Sequence, residues 1–236
     1  MNASAKREEL TAVAQTMENV KKPKQLNDYV YDSIKKMILN NELPVGAQIK
    51  VEQFSTMLGV SRTPVRESLI RLQADGLLES KPHAGFRVAS ISEKGLKDMF
   101  EVRRMLECYA AERCVTVITD AAVEFLNHSL EESRRMMQNR DLHGFNECEV
   151  AFHNTIIQSL ENQQILQIWN LNNDMITRQR QVSLESLENQ ELSLKEHAAI
   201  CRAISLRDAQ AARMAMYLHL TNVETRLLKY LKEHKS

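Results

Sequence analysis

The chain has 236 residues, 43% hydrophobic and 26% charged, with 31 basic and 31 acidic side chains in balance. This is an ordinary globular composition, long enough for one large domain or two small ones. It excludes a polycation, so any anion-binding surface must be local, and no apolar run approaches the roughly 18–20 residues that span a bilayer.

Glycines number six, prolines four, and aromatics make up only 5%, so the material is helical. The four cysteines, Cys108, Cys114, Cys148 and Cys201, show no Cys-x-x-Cys spacing and read as small buried thiols of a reducing compartment. The opening MNASAKREEL is too polar for a signal peptide, and the expected location is cytoplasmic. Charge is distributed unevenly. Residues 1–23 carry +1, residues 24–90 carry +2 and residues 91–236 carry −3. Three segments are expected with these bounds: an N-terminal extension, a first domain and a larger second domain.

In chain order, Leu10, Val13, Met17 and Val20 fit a short amphipathic helix within residues 8–20. Leu26, Tyr29, Val30, Ile34, Met37 and Ile38 make a clear helical stripe. Val51, Phe54 and Leu58 make a shorter one that ends at Gly59, a residue suited to a left-handed cap. A third helix follows, with Thr63 expected as its cap, Pro64 at its first position, and Val65, Leu69 and Leu72 on one face. Gly76 closes it. LLES, KPHAG and FRVAS then predict a strand, a turn and a second strand. Beyond Pro82 there is no proline. Six helices fit residues 93–234, with breaks near Thr119–Asp120, Arg140–Asp141, Glu161–Asn162, Leu187–Glu188 and Arg207–Asp208, several offering Asp or Asn as a cap. Short connections between long helices predict an antiparallel bundle. The expected fold is mainly α: an N-terminal winged helix-turn-helix domain plus a C-terminal six-helix bundle.

Arg62 and Arg66 stand at the start of the third helix, where the helix dipole disfavours cations by a few tenths of a kcal/mol. Both point away from the Val65/Leu69/Leu72 stripe. Three short helices and a hairpin present the third helix to the DNA major groove. There a bidentate arginine–guanine pair is worth about 1–3 kcal/mol of discrimination, more than the dipole penalty. The stretch LGVSRTPVRESLIRLQADGLLES…GFRV resembles the signature of GntR-type transcription regulators. SEKGLKDMFEVRRMLECYAAE is similar to the opening of the all-helical effector domain in the FadR-type branch, and the resemblance covers about residues 24 to 234. It implies base and phosphate contacts at Ser61, Arg62, Thr63 and Arg66, and a wing tip at His83 and Gly85. Glu52 stands where some members carry a DNA-contacting arginine, with Lys50 beside it as a substitute on the phosphate.

In the second domain, Glu149 and His153 lie four apart on one helix face, and the last two helices supply His197 and His219. Nitrogen and oxygen donors of this kind suit Zn or Ni, with Mn or Fe also possible. Regulators of the vanillate and lactate group carry an Asp-x-x-x-His pair and two later histidines that bind a divalent metal. The resemblance therefore implies a metal site at Glu149, His153, His197 and His219, with Glu in place of Asp. It also implies that Arg103 meets an effector carboxylate. Arg104, Arg113, His128, His143 and His234 are expected at the surface.

The leading expectation is a homodimeric regulator, not an enzyme, on a pseudo-palindromic double-stranded DNA operator, controlled by a small carboxylate bound at the metal. A metal-free regulator of a larger acyl ligand is the alternative. A metal-dependent enzyme is a weaker one, because no His-Glu-x-x-His occurs.

Overall fold

The computed structural model describes residues 26–81, 85–90 and 92–233. The helix expected within residues 8–20, the wing residue His83 and the C-terminal His234 lie outside them. The chain divides after Ser90 into two compact units.

In the first unit, helical residues 26–39 (α1) bury Val30, Ile34 and Ile38 with Tyr31 at their side. Of the expected stripe, Leu26 and Tyr29 are instead 41% and 59% exposed. The apolar face turns toward Tyr31, which leaves Tyr29 on the opposite flank of Val30, about 100° away around the helix. Tyr31 Oη donates to Asp75 Oδ2 at 2.7 Å, and the Arg71 guanidinium lies 3.8 Å from its ring centre. Ser68 Oγ donates to the Asn27 carbonyl at 3.1 Å. These contacts fix α1 on α3 (Arg62–Ala74).

Between them, α2 (Val51–Leu58) ends at Gly59, whose φ of 66° is left-handed, a conformation that costs an L-residue about 1 kcal/mol or more. Helix α3 begins two residues earlier than its sequence suggested: Ser61 is the cap, and Pro64 is the third residue. Proline is tolerated there because none of the first four amides has an intrahelical partner. Pro64, Val65, Ser68, Leu69 and Leu72 are buried. The hairpin is β2 (Leu78–Lys81) and β3 (Gly85–Val88), antiparallel with Leu78 opposite Val88. A third strand, β1 (Gln48–Ile49), pairs antiparallel with β3, giving the order β1-β3-β2. Two residues are too few to show an alternation, so β1 carried no sequence signal.

The second unit is a helical bundle. Helix α4 (Glu93–Arg103) runs through a π-helical stretch, Arg104–Cys108, into α5 (Tyr109–Cys114) without a break. With α6 (Asp120–Gln138), α7 (Leu142–Gln158), α8 (Gln163–Ser183), α9 (Leu187–Ser205) and α10 (Ala209–Glu233), this makes the six rods the punctuation implied. Thr119, Asp141, Asn162 and Ser186 each accept a hydrogen bond from the first turn they precede, and Asp208 accepts from Ala211 N. Arg140, Glu161 and Arg207 adopt left-handed φ of 57°, 50° and 56° directly before an Asp or Asn cap. One residue thus ends a helix and the next begins another, which keeps the connections short. Phe100, Phe145, Phe152, Trp169, Ile200, Met216 and Leu220 belong to one continuous core. Of the described residues, no helix is long and apolar enough to cross a membrane.

Candidate functional site

The interior of this bundle is not wholly apolar. His153 on α7, His197 on α9 and His219 on α10 are each 2% exposed or less, and one ligand atom from each lies within 4.8 Å of the other two. Phe152 stacks on His197 with ring centres 4.1 Å apart and planes 7° from parallel, forming an apolar wall. Each imidazole has a carboxylate against its Nδ1. Glu107 Oε2 contacts His153 Nδ1, Glu149 Oε1 is 3.2 Å from His197 Nδ1, and Glu196 Oε2 is 2.8 Å from His219 Nδ1. A carboxylate at Nδ1 holds the proton there and leaves the lone pair on Nε2.

The consequence is electrostatic. Nε2 of His197 and of His219 face each other at 3.4 Å, two lone pairs with no proton between them in that tautomer. Nε2 of His153 is buried with no hydrogen-bond partner among the described residues. A buried polar atom without a partner costs about 1–3 kcal/mol. A cation at the centre would relieve all three, so these side chains fit a divalent metal.

Protonation is disfavoured throughout the cluster. Burial holds His153 down to about 3 against the pull of Glu107. Burial and the neighbouring histidines hold His197 well below the usual range, and burial also lowers His219 despite Glu196. Neutral imidazoles are the form that ligates. Glu107 is the reverse: burial alone would raise it, but Arg103 and His153 together keep it well below the usual carboxylate range. Burial pushes Glu149 up to about 7.

Of the four ligands expected from sequence, the geometry groups the three histidines. Glu149 instead lies at the Nδ1 side of His197 and accepts from Ser193 Oγ at 3.1 and 3.2 Å. Arg103 is 2% exposed and its Nε donates to Glu107 Oε1 at 2.6 Å. The π-helical stretch carries Glu107 inward beside it, and such bulges often occur at functional sites. Three residues of this site went unread in the sequence. Glu107 follows Arg103 by four, a pairing interval that was available as a signal. Glu196 precedes His197. Arg180 on α8 is 4% exposed, and nothing in the sequence around it pointed inward. Arg104, expected in solvent, is part-buried and pairs with Glu224 at 2.5 Å, whereas Arg113, His128 and His143 are exposed.

The first unit carries the other set of expected site residues. Ser61, Arg62, Thr63 and Arg66 are all exposed, opposite the face that buries Val65, Leu69 and Leu72. Arg62 lies 3.4 Å from Glu52 across two exposed side chains, a pair worth at most about 1 kcal/mol. Gly85 opens β3 with φ of 73°, a value that favours glycine.

A winged helix-turn-helix whose third helix bares two arginines, joined to a helical unit with a buried polar centre, defines a two-domain class of DNA-binding regulator. Residues 26–88 match the bacterial regulatory proteins of the gntR family, and residues 98–222 match the FCD domain. The chain belongs to the GntR family of transcriptional regulators, in the branch that carries an FCD effector domain. It is 26% identical over 220 residues to the HTH-type transcriptional repressor RspR of Escherichia coli, covering 93% of this chain and 96% of that one. It is 29% identical over 222 residues to a protein of Paenarthrobacter nicotinovorans named "Probable D-xylose utilization operon transcriptional repressor", covering 93% and 91%. Among solved structures, a GntR transcriptional regulator from Rhodococcus sp. RHA1 shares the fold with a TM-score of 0.75 at 18% identity, covering 86% of this chain and 97% of that one. Both families are families of regulators rather than enzymes.

Proposed function

We propose that this regulator acts as a homodimer on a pseudo-palindromic operator, and that a small carboxylate taken up at a metal in the FCD unit switches its hold on DNA. The observation that carries this reading is the histidine cluster: three buried neutral imidazoles, each with a carboxylate at Nδ1, converge on one point. His153, His197 and His219 would hold a divalent cation, Zn or Ni by the nitrogen donor set. Glu107, Glu149 and Glu196 orient the rings. When bound, the cation supplies a positive charge that attracts an anionic ligand in a dry interior.

On the other unit, Ser61, Arg62, Thr63 and Arg66 are assigned to the major groove, with Gly85 on the wing. One short recognition helix reads few bases, and a two-fold protein matches a two-fold site. The ligand would act by favouring one of two placements of the DNA-binding units, by as much as its affinities for them differ.

Metal analysis of the purified protein tests the core of this reading. One equivalent per chain is expected, and His197→Ala should lose most of it while keeping operator affinity. At a free metal concentration 100 times Kd, binding adds about 2.7 kcal/mol of stability. Chelation should therefore lower Tm in the wild type and leave His197→Ala unmoved. A variant with a full equivalent of metal would rule this assignment out.

A further inference from the structure

The histidine cluster is closed to solvent. Its three rings are each 2% exposed or less, and the enclosed cavity beside them measures about 10 Å³, no more than one water takes. An ion can reach or leave such a centre only if a wall moves. The lining comes from α4, α7, α8, α9 and α10. Four of these rods are tied to the cluster. Helix α4 with its π-helical continuation carries Arg103 and Glu107, α7 carries Glu149 and His153, α9 carries Glu196 and His197, and α10 carries His219. Helix α8 carries none of the three histidines and none of the carboxylates at their Nδ1 atoms. It can therefore move without dismantling the ligand set.

The C-terminal half of α8 is also a wall that closes at a cost. Gln179, Arg180 and Ser183 are 1%, 4% and 3% exposed. Gln179 Oε1, both Nη atoms of Arg180 and Ser183 Oγ have no hydrogen-bond partner among the described residues. Each such atom loses water on closure and gains nothing in return, which lowers the free energy needed to open. The two ends of the helix are held differently. Near its start Trp169, 1% exposed, donates from Nε1 to Asn154 Oδ1 at 2.7 Å. The far end is held through carbonyls that a last helical turn leaves free. Asn189 Nδ2 donates to the Ser183 carbonyl at 2.7 Å, and Gln190 Nε2 to the Leu184 carbonyl at 2.8 Å.

We infer that the C-terminal half of α8 is the gate of the histidine cluster, swinging about the Trp169 anchor with Asn189 and Gln190 as its latch. Opening hydrates Gln179, Arg180 and Ser183 and uncovers the rings, and closing seals an ion inside. This rests on the metal reading above for what passes, while the motion itself needs no metal.

Two measurements on the full-length protein test it: hydrogen exchange of the metal-stripped form, and zinc transfer from the loaded form to an excess of chromogenic chelator. In stripped protein the amides of residues 176–184 should exchange at least about 10-fold faster than those in the middle of α7, α9 and α10. Arg180→Met with Ser183→Ala removes groups that only the open state satisfies, so α8 exchange and zinc release should both slow on the order of 10-fold. Asn189→Ala weakens the latch and should speed both by roughly 2- to 10-fold. Wild-type rates in both variants, or α8 amides as slow as those of α7, overturn the proposal. Faster exchange in the Arg180→Met, Ser183→Ala variant does so too, since it would show that these groups are satisfied in the closed state. Fastest exchange in α9 or α10 would put the way in at the groove between those helices and remove α8 from the role. A chain that takes up no zinc, while α8 exchange shifts in both variants as expected, refutes the metal reading and leaves the gate standing.

Discussion

The two units handle charge in opposite ways. On α3 the arginines are exposed, and an ion pair at its start, Arg62 with Glu52, is loose and solvated. In the bundle, Arg103, Arg180, Glu107, Glu149 and three histidines are all at least 95% buried. An exposed charge is cheap to keep and says little by itself, since water can serve as its partner. A buried one must be matched, so each unmatched donor calls for a water, an ion or a ligand. The first unit is suited to a large, solvent-facing polyanion whose binding depends on salt. The second is suited to a small ion held in place by hydrogen bonds.

The sharpest way to break this contrast is on α3. Replacing both Arg62 and Arg66 by Ala should weaken operator binding on the order of 100-fold or more at fixed salt, as two contacts worth about 1–3 kcal/mol each disappear. Stability should change by no more than about 0.5 kcal/mol, because both side chains face solvent. Mobility shifts beside thermal melts check both halves, and full affinity in the double variant would remove α3 from the interface.

Acid probes the buried side with a smaller effect. In metal-stripped protein His153 titrates at about 3 when folded, below the ordinary 6.5. Its contribution to stability is therefore complete above about pH 6.5 and is lost as pH falls toward 3, because the unfolded chain binds the proton first. His197 and His219 are lowered as well and act in the same direction. Glu149 acts oppositely. Raised to about 7 by burial, it contributes most below about pH 4.5 and loses that contribution as pH rises through 7. Three groups outweigh one, so the Tm of stripped protein should fall from pH 6.5 to pH 4. A Tm that rises steadily over that interval would contradict the burial of the cluster.

The smallest expected change is at Glu52. Glu52→Gln frees Arg62 from an exposed pair worth at most about 1 kcal/mol and should tighten operator binding by no more than about fivefold. Looser binding would show instead that Glu52 itself reads a base, as a carboxylate can by accepting from cytosine N4.

Local chemistry was enough for most of the fold. Thr119, Asp141 and Asn162 cap helices where their side chains allow it, and Gly59 and Gly76 end helices because their φ is positive. Hydrophobic spacing of three and four placed the rods, and likeness to a known family joined His153, His197 and His219, which lie on three different helices. Other features depended on packing. The exposure of Tyr29, the strand β1, the bend that carries Glu107 inward, and the start of α3 at Arg62 rather than Pro64 came from tertiary context. The burial of Arg180 is the clearest case. Its surroundings come from α4, α7, α9 and α10, up to about 80 residues away in the chain, and a side chain's desolvation is the sum over all of them. Arg178, two positions earlier on the same helix, is also 4% exposed, so neither residue type nor helical phase singles out Arg180. What does so is where its guanidinium ends: beside Arg103, near two carboxylates that do not reach it. No pattern along one strand of sequence encodes that distance, because it is set by how six helices pack.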